Sequence, residues 1–165
     1  MKKLLGRWVG RTSASSPSSQ TLQLLFAMRF DLEEGIEPAE KMLRQQDPPP
    51  NPTRVCAMLA VGHLGNEDEH AVLIEDFFDD HTVCARQNHN GTQYQTQFRD
   101  IALASRIHLA GENPQQYGFE RIQPSTLMVY ETSTLGFEND EKRQESFDSW
   151  SEAVQARKEA ALLEE

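Results

Sequence analysis

The chain has 165 residues, a length that fits one domain and suffices to bury a core without disulfides or structural metals. It carries 26 acidic against 16 basic side chains, for a net charge of −10 at pH 7. An acidic body repels phosphate backbones, so we expect no nucleic-acid partner. The sequence contains no run of about 18 apolar residues, which predicts no transmembrane span, and we expect a cytoplasmic protein.

The amino-terminal segment differs from the rest in charge and composition. Four basic residues lie in its first eleven positions: Lys2, Lys3, Arg7 and Arg11. Without them the remaining chain has 12 basic against 26 acidic residues, a net charge of −14. The arginines interrupt the apolar residues too early for a signal peptide. A serine-rich stretch over 12–19 follows, so we expect residues 1–20 to form a flexible basic and serine-rich tail.

Helical periodicity begins after this tail. Apolar residues recur every three or four positions from Thr21 to the break at Gly35, which predicts a first helix. A short second helix is expected with Pro38 at its first helical position, and the prolines at 48–50 end it. Two helices in quick succession with a glycine turn between them predict a helical hairpin.

The next two segments repeat this pattern and are then followed by a polar one. Residues 53–64 are apolar on more than one side, which predicts an inner helix. Residues 67–78 predict another helix, with acidic side chains at its positive end. Residues 82–96 are rich in Gln, Asn and Gly, so we expect a polar connection that contains at most a loose helical turn.

Residues 97–111 are predicted to be the central, buried helix. Their apolar side chains cover more than a single stripe, so neighbours must pack on at least two sides. The small residues Ala102, Ala104 and Ser105 would let another helix approach closely. Gly111 provides the stop signal.

The carboxy-terminal third begins with an aromatic-rich segment. Residues 111–139 hold too many large apolar groups to remain in water, so we expect an ordered but mostly irregular segment, partly extended at 127–130. A last helix is predicted from Asp140, fraying beyond Arg157. Its packing stripe consists of Phe147, Trp150 and Val154. We expect Trp150 and Phe147 to pack together against the segment 111–139 and so to close the open end of the helical stack.

The helical segments show a weak internal repeat. Leu25, Leu32 and Ala39 align with Ala57, Leu64 and Ala71 at an offset of 32 residues. Ala57 and Leu64 align with Ala102 and Leu109 at an offset of 45. The longer spacing contains the polar segment 82–96, which is where repeat units tolerate insertions. Chance agreement of alanines and leucines is the alternative interpretation.

The residues 54–74 resemble a HEAT-type helical hairpin, with an arginine, alanines, a leucine–glycine pair and an acidic turn in the usual order. The resemblance extends over about 21–111. Five later stretches are similar to the closing block of uncharacterised bacterial HEAT-like proteins: 99–104, 116–119, 135–137, 142–143 and 147–150. Since that block ends a longer polypeptide, the resemblance also implies a chain that is either a short member or the carboxy-terminal part of a larger protein.

The resemblance implies an all-α fold, in which HEAT-like antiparallel hairpins stack as a short right-handed solenoid. The expected organisation is a tail over 1–20, a helical-repeat domain over 21–137 and a capping helix over 138–165. Proteins of this family commonly serve as scaffolds, so we expect a non-catalytic module for protein–protein interaction. A cap domain of a larger repeat protein is one alternative. A metal-dependent or hydrolytic enzyme is the other.

The enzyme alternative depends on the loop His81–His89, which contains Cys84 between its two histidines. Imidazole and thiolate suit zinc, and Cys56 or His63 would complete four ligands. The spacing matches no established zinc signature, so a polar loop with solvated histidines is the simpler interpretation. Both cysteines are expected to be free thiols, since two do not make a disulfide framework.

Two His–Glu pairs have helical spacing: His63 with Glu67, and His108 with Glu112. Such pairs are more often surface contacts than catalytic couples. The sequence has no Gly-x-Ser-x-Gly motif and no nucleotide-binding fingerprint. Asn90-Gly91-Thr92 is interpreted as a turn. The sequence therefore assigns no catalytic, cofactor-binding or metal-binding residue.

Overall fold

The computed structural model describes residues 2–9, 16–49 and 51–163. In these ranges the chain forms seven α-helices and one antiparallel pair of strands. In chain order these are α1 (Lys2–Val9), α2 (Pro17–Phe30), α3 (Ile36–Leu43), α4 (Asn51–Leu64), α5 (Glu67–Glu75), β1 (Val83–His89), β2 (Thr92–Gln97), α6 (Phe98–Leu109) and α7 (Asp140–Leu163). Single 3-10 turns cover Glu33–Gly35, Pro114–Tyr117 and Thr132–Thr134.

Helix α6 is the centre of the core, as its all-round apolar sequence predicts. The side chains of Ile101, Leu103 and Ile107 are completely buried, because α4, α5 and α7 all pack against this helix. The approach of α4 is so close that a Cβ atom added at Gly62 would lie 2.7 Å from the Cβ of Ser105. The expected role of small residues at this contact is thereby confirmed.

Helices α2, α4 and α6 pack in sequence, α2 against α4 and α4 against α6. Helix α3 packs on α4, and α5 packs on α6. The predicted helices at 53–64 and 97–111 correspond to α4 and α6 within a few residues. None of the helices in the described ranges is both long and apolar enough to cross a membrane.

The expectation of an all-α solenoid is wrong. Residues 82–96, predicted to be a polar connection, form most of a β-hairpin between α5 and α6. The structure is therefore a mixed one, mostly helical with a two-stranded sheet, and it does not establish a repeat solenoid.

The two-residue turn explains why these residues form a hairpin. Asn90 and Gly91 connect the strands with φ angles of 51° and 85°, the left-handed conformations that a two-residue type I′ turn requires. Register follows from this turn, with His89 opposite Thr92 and Gln87 opposite Tyr94. On the far side of β2, Gln95 and Phe137 exchange two backbone hydrogen bonds, of 3.0 and 3.2 Å. The hairpin is thereby tied to the carboxy-terminal third.

Residues 2–9, expected to be part of a flexible tail, form helix α1. Helix α1 packs against α2, and Val9 is completely buried beside Ala27 and Leu32. The expected boundary of the flexible tail at residue 20 falls inside α2, which Ser16 caps by accepting from the amide of Ser19. The intervening residues 10–15 lie outside the described ranges.

The aromatic-rich segment 111–139 is irregular, as predicted, and it packs against α7. Trp150 is 2% exposed, and its ring meets that of Tyr117 edge-on at a centroid distance of 5.2 Å. The expected packing of Trp150 on this segment is confirmed. Phe147 contacts Phe78 instead, at 5.2 Å. Helix α7 continues to Leu163, beyond the point where fraying was expected.

Candidate binding cleft

An apolar cleft with a volume of about 580 Å³ opens between α2, α4, β1 and residues 125–133. Such a volume is in the range of small-molecule and side-chain binding pockets. Its apolar and sulfur-containing lining consists of Leu25, Pro52, Val55, Cys56, Cys84, Ala85, Leu127 and Met128. Its polar lining consists of Thr21, Asn51, Ser125, Glu131, Thr132 and Ser133.

Side-chain hydrogen bonds hold the walls of the cleft together. The hydroxyl groups of Thr21 and Thr53 lie 2.7 Å apart and join α2 to α4. The amide of Asn51 donates to the carbonyl of Val83 at 3.3 Å and joins the start of α4 to β1. Each wall is thus fixed by contacts that do not involve a ligand. The cleft is therefore preformed.

One wall is the loop of residues 124–130, which we call the 124–130 loop. Its two ends are held together because the Ser125 amide donates to the Val129 carbonyl at 3.2 Å. Near its middle, the sulfur of Met128 lies 3.9 Å from the thiol sulfur of Cys56. At its end, the hydroxyl of Tyr130 lies 3.0 Å from Nδ1 of His108. These contacts place the loop over α4 and α6.

Tyr130 and His108 belong to a hydrogen-bonded row of four side chains. Nε2 of His108 lies 3.3 Å from Nδ1 of His63, and Nε2 of His63 lies 3.1 Å from a carboxylate oxygen of Asp31. The geometry lets each group donate to the next, from the Tyr130 hydroxyl to His108, from His108 to His63 and from His63 to Asp31. The residues Asp31, His63 and His108 are separated by 32 and 45 positions. These are the offsets of the sequence alignment.

The chemistry of this row favours a positioning role for the 124–130 loop. Burial, together with the charge of neighbouring His63, lowers the pKa of His108. Burial raises the pKa of Tyr130. At neutral pH His108 is therefore uncharged and Tyr130 keeps its proton. A catalytic tyrosine needs the opposite shift, so the row fixes the loop and does not activate Tyr130.

Both cysteines line the cleft, although they are 28 positions apart in the sequence. Both are free thiols, as expected. Burial raises the pKa of Cys56 to about 11, and burial likewise raises that of Cys84 to about 11. The thiolate, the form that attacks electrophiles, is scarce at neutral pH for such groups. These thiols therefore act as small apolar side chains.

The loop His81–His89 does not gather a metal site. Cys84 and His89 stand five residues apart on the extended strand β1, roughly 16 Å at about 3.3 Å per residue. His63, one of the two candidates for a fourth ligand, contacts Asp31 and His108 instead. Among the described residues no group of three or more His, Cys, Asp or Glu side chains is placed to hold a metal ion.

The expected His–Glu pairs are replaced by other contacts. Glu67 accepts from the guanidinium of Arg106 at 2.8 Å, and His63 belongs to the histidine row. Glu112 accepts from the Tyr117 hydroxyl. Glu67 and His63 thus have partners 39 and 45 positions away, and Glu112 has one five positions away.

A buried ion pair joins α6 to α7. The guanidinium Nε of Arg143 donates to Asp100 at 2.7 Å, and its Nη2 donates to the carbonyl of Gln95 at 3.0 Å. Burial raises the pKa of Asp100 to about 6, although the hydrogen bonds from Arg143 and the Gln97 amide lower it. At neutral pH Asp100 is ionised and paired. Asp100 and Arg143 both lie in stretches that carry the sequence resemblance.

Sequence reasoning missed the cleft because its lining comes from four separate segments. Leu25, Val55 and Cys56 were assigned to helical cores, and Met128 to an extended stretch. The Asn90-Gly91 pair, followed by β-forming residues at alternate positions, was the available signal for the adjacent hairpin. No local pattern marks Met128 as a neighbour of Cys56.

In comparisons with protein-family models, curated proteins and solved structures, nothing matches this chain. The resemblance of residues 54–74 to a HEAT-type hairpin therefore stays a prediction from the sequence.

Proposed function

We propose that the protein is a non-catalytic module that binds a segment of a partner protein and seats apolar side chains of that segment in the cleft between α2, α4, β1 and residues 125–133. The observation that carries this proposal is the preformed cleft of about 580 Å³ with its mixed lining. Leu25, Val55 and Met128 offer apolar surface to a side chain. Asn51 and Ser133 offer hydrogen-bonding groups to its backbone.

The titration of the groups near the cleft supports binding over catalysis. The raised pKa values of Cys56 and Cys84, each about 11, keep both thiols protonated at neutral pH. The raised pKa of Tyr130 keeps its hydroxyl neutral. Nucleophilic catalysis requires an activated group, whereas apolar contact requires uncharged ones.

A peptide selection tests the proposal. Peptides are selected from a random display library on the parent protein, and the affinity of the best binders is then measured for two variants. Leu127→Asp places a charge in the lining of the cleft, and we expect it to weaken binding at least about tenfold, since burying an unpaired carboxylate is costly. Leu127 is 61% exposed, so the substitution leaves the core unchanged.

Leu162→Asp is the matched control, because Leu162 is 72% exposed near the end of α7 and does not line the cleft. We expect it to retain the parent affinity. Circular dichroism confirms that both variants are folded. Equal affinities of all three proteins for every selected peptide would place binding outside the cleft and overturn the proposal.

A further inference from the structure

A second surface of the molecule is apolar and unrelated to the cleft. On α1, Leu4 and Trp8 stand four positions apart and thus on one side of the helix, and they are 77% and 39% exposed. On α2, Leu22, Phe26 and Phe30 repeat the same spacing, with Leu22 47% and Phe30 38% exposed. Each helix therefore shows an apolar stripe to solvent.

The two stripes are continuous with each other. The rings of Trp8 and Phe26 meet edge-on at a centroid distance of 5.8 Å. Phe26 and Phe30 stack in parallel at 5.9 Å. We call this surface, formed by Leu4, Trp8, Leu22, Phe26 and Phe30, the aromatic ridge. Ring contacts join its three aromatic side chains, and the Trp8–Phe26 contact crosses from α1 to α2.

The ridge is presented on a fixed base. Val9, Ala27 and Leu32 are buried beneath it, and Leu5 and Phe26 pack against them. The side-chain amide of Gln23 donates to the carbonyl of Trp8 at 3.2 Å. Helix α1 thus packs on α2 through Val9 and part of the Trp8 ring, while Leu4 stays 77% exposed.

Positive charge accompanies the ridge. Lys2 and Lys3 occupy the first turn of α1, and Arg7 and Arg29 are exposed beside Trp8 and Phe30 in the sequence. This contrasts with the remainder of the chain, which has a net charge of −14 once the four cations of residues 1–11 are removed. Acidic neighbours are present at Asp31, Glu33 and Glu34.

One of these acidic side chains, Glu34, lies on the far side of α1 from Leu4 and Trp8. A Cβ atom added at Gly6 would lie 2.2 Å from a carboxylate oxygen of Glu34, so Glu34 sits against the Gly6 backbone. On the helix, Gly6 is half a turn away from Leu4 and Trp8. Asp31 bonds to His63. Arg7 and Arg29 follow Leu4 and Phe26 by three positions, so they lie on the ridge side of their helices.

We propose that the aromatic ridge docks on the surface of a membrane that contains anionic phospholipids. A helix with exposed Leu and Trp on one side and Lys or Arg beside them lies in the membrane interface, where apolar groups reach the acyl chains and cations meet the headgroups. Tryptophan prefers this zone because its ring is apolar and its N–H is polar. Charge complementarity favours this occupant, because Arg7 and Arg29 are exposed beside the apolar side chains of the ridge and would meet anionic headgroups.

Vesicle binding by the full chain tests the proposal. Cosedimentation is measured with vesicles of equal parts phosphatidylglycerol and phosphatidylcholine, and with vesicles of phosphatidylcholine alone. We expect binding to the anionic vesicles that weakens as salt is raised, since ions screen the attraction. Brominated lipids should quench part of the tryptophan emission, because Trp8 is exposed whereas Trp150 is 2% exposed.

Four variants make the test specific. Arg7→Gln should lower the partition coefficient about fivefold, and Leu4→Ser about tenfold, as expected for one interfacial cation and one buried leucine. The matched control for Arg7→Gln is Arg44→Gln, since Arg44 is exposed at the carboxy-terminal end of α3. The matched control for Leu4→Ser is Val72→Ser, since Val72 is 70% exposed on α5. The controls should bind as the parent does.

Four outcomes would overturn the proposal. The first is no binding to anionic vesicles, and the second is equal binding to the neutral vesicles. The third is an equal loss of binding in the ridge variants and their controls. The fourth is self-association of the parent in sedimentation equilibrium that Leu4→Ser abolishes, because a second copy would then cover the ridge.

Discussion

Buried charges in this protein are held by partners from other elements. Arg54 on α4 bonds to Asp80 and lies over the ring of Phe98 at 3.8 Å. Arg143 on α7 bonds to Asp100 on α6. Arg143 thus fastens α7 to α6, and Arg54 fastens α4 to the segment between α5 and β1. Removing one partner leaves the other buried and unpaired, which costs more than the pair itself contributes.

Arg143→Met should lower the free energy of unfolding by about 3–5 kcal/mol near neutral pH, because Asp100 would be left buried without its partner. The loss should depend on pH in a defined direction. The pKa of Asp100 is raised by burial from 3.8 to about 6, so its contribution to stability is greatest below 3.8 and declines as pH rises to about 6. Without Arg143 the pKa rises further, and this decline continues above 6. The stability deficit relative to the parent should therefore shrink as pH falls.

Urea unfolding of the parent and the variant, at about pH 8 and about pH 5.5, measures this deficit. The double variant Asp100→Asn with Arg143→Met is the control, since it removes the unpaired charge and should be more stable than Arg143→Met alone at the higher pH. A deficit that grows on acidification would show that Asp100 is not the group responsible.

At the scale of elements, the sequence predicted the helices whose apolar periodicity is strong. It did not predict the strands, whose formation depends on pairing with another segment. Helices α4 and α6 were found because their all-round apolar character survives any packing arrangement. The strands β1 and β2 were missed because their side chains are mostly polar, and their order depends on contacts such as the two hydrogen bonds between Gln95 and Phe137. Helix α1 was missed because its stability depends on burying Val9 against α2.

The cleft was predictable only in part. The thiol state of Cys56 and Cys84 followed from their number, but their shared cleft did not, since it requires β1 to lie beside α4. The row of Asp31, His63 and His108 had a signal in the offsets of 32 and 45 residues. That signal indicated side-by-side helices without indicating which side chains would bond.

The contact between α4 and α6 gives a prediction about Gly62. Alanine is more favourable than glycine inside a helix by about 1 kcal/mol of folding free energy. In Gly62→Ala, however, the new Cβ would lie 2.7 Å from the Cβ of Ser105 and 3.0 Å from its Cα and carbonyl oxygen. Forced separation of packed helices costs about 1–3 kcal/mol. We therefore expect a net loss of stability in thermal or urea unfolding. Adding Ser105→Gly should restore part of it, and a Gly62→Ala protein more stable than the parent would refute the close approach.

The whole molecule has two surfaces of different character. The cleft between α2, α4, β1 and residues 125–133 combines apolar lining with hydrogen-bonding groups, which suits a peptide segment. The aromatic ridge of α1 and α2 is exposed to solvent and carries cations, which suits an anionic interface. The two share α2, whose residues Thr21 and Leu25 line the cleft while Leu22 and Phe26 lie in the ridge. Binding at each surface is therefore separable by substitution of single residues.

The central claim is that a partner segment enters the cleft, and the methionine methyl groups report on it directly. The chain has five methionines, of which Met128 lines the cleft, whereas Met42 and Met58 are buried in the core. Carbon-13 methyl spectra are recorded while a peptide selected on the parent protein is added, and Met128→Leu assigns the signal. We predict that the Met128 methyl shifts in proportion to occupancy while the Met42 and Met58 methyls stay in place. Saturating peptide that leaves the Met128 signal unmoved would contradict the account.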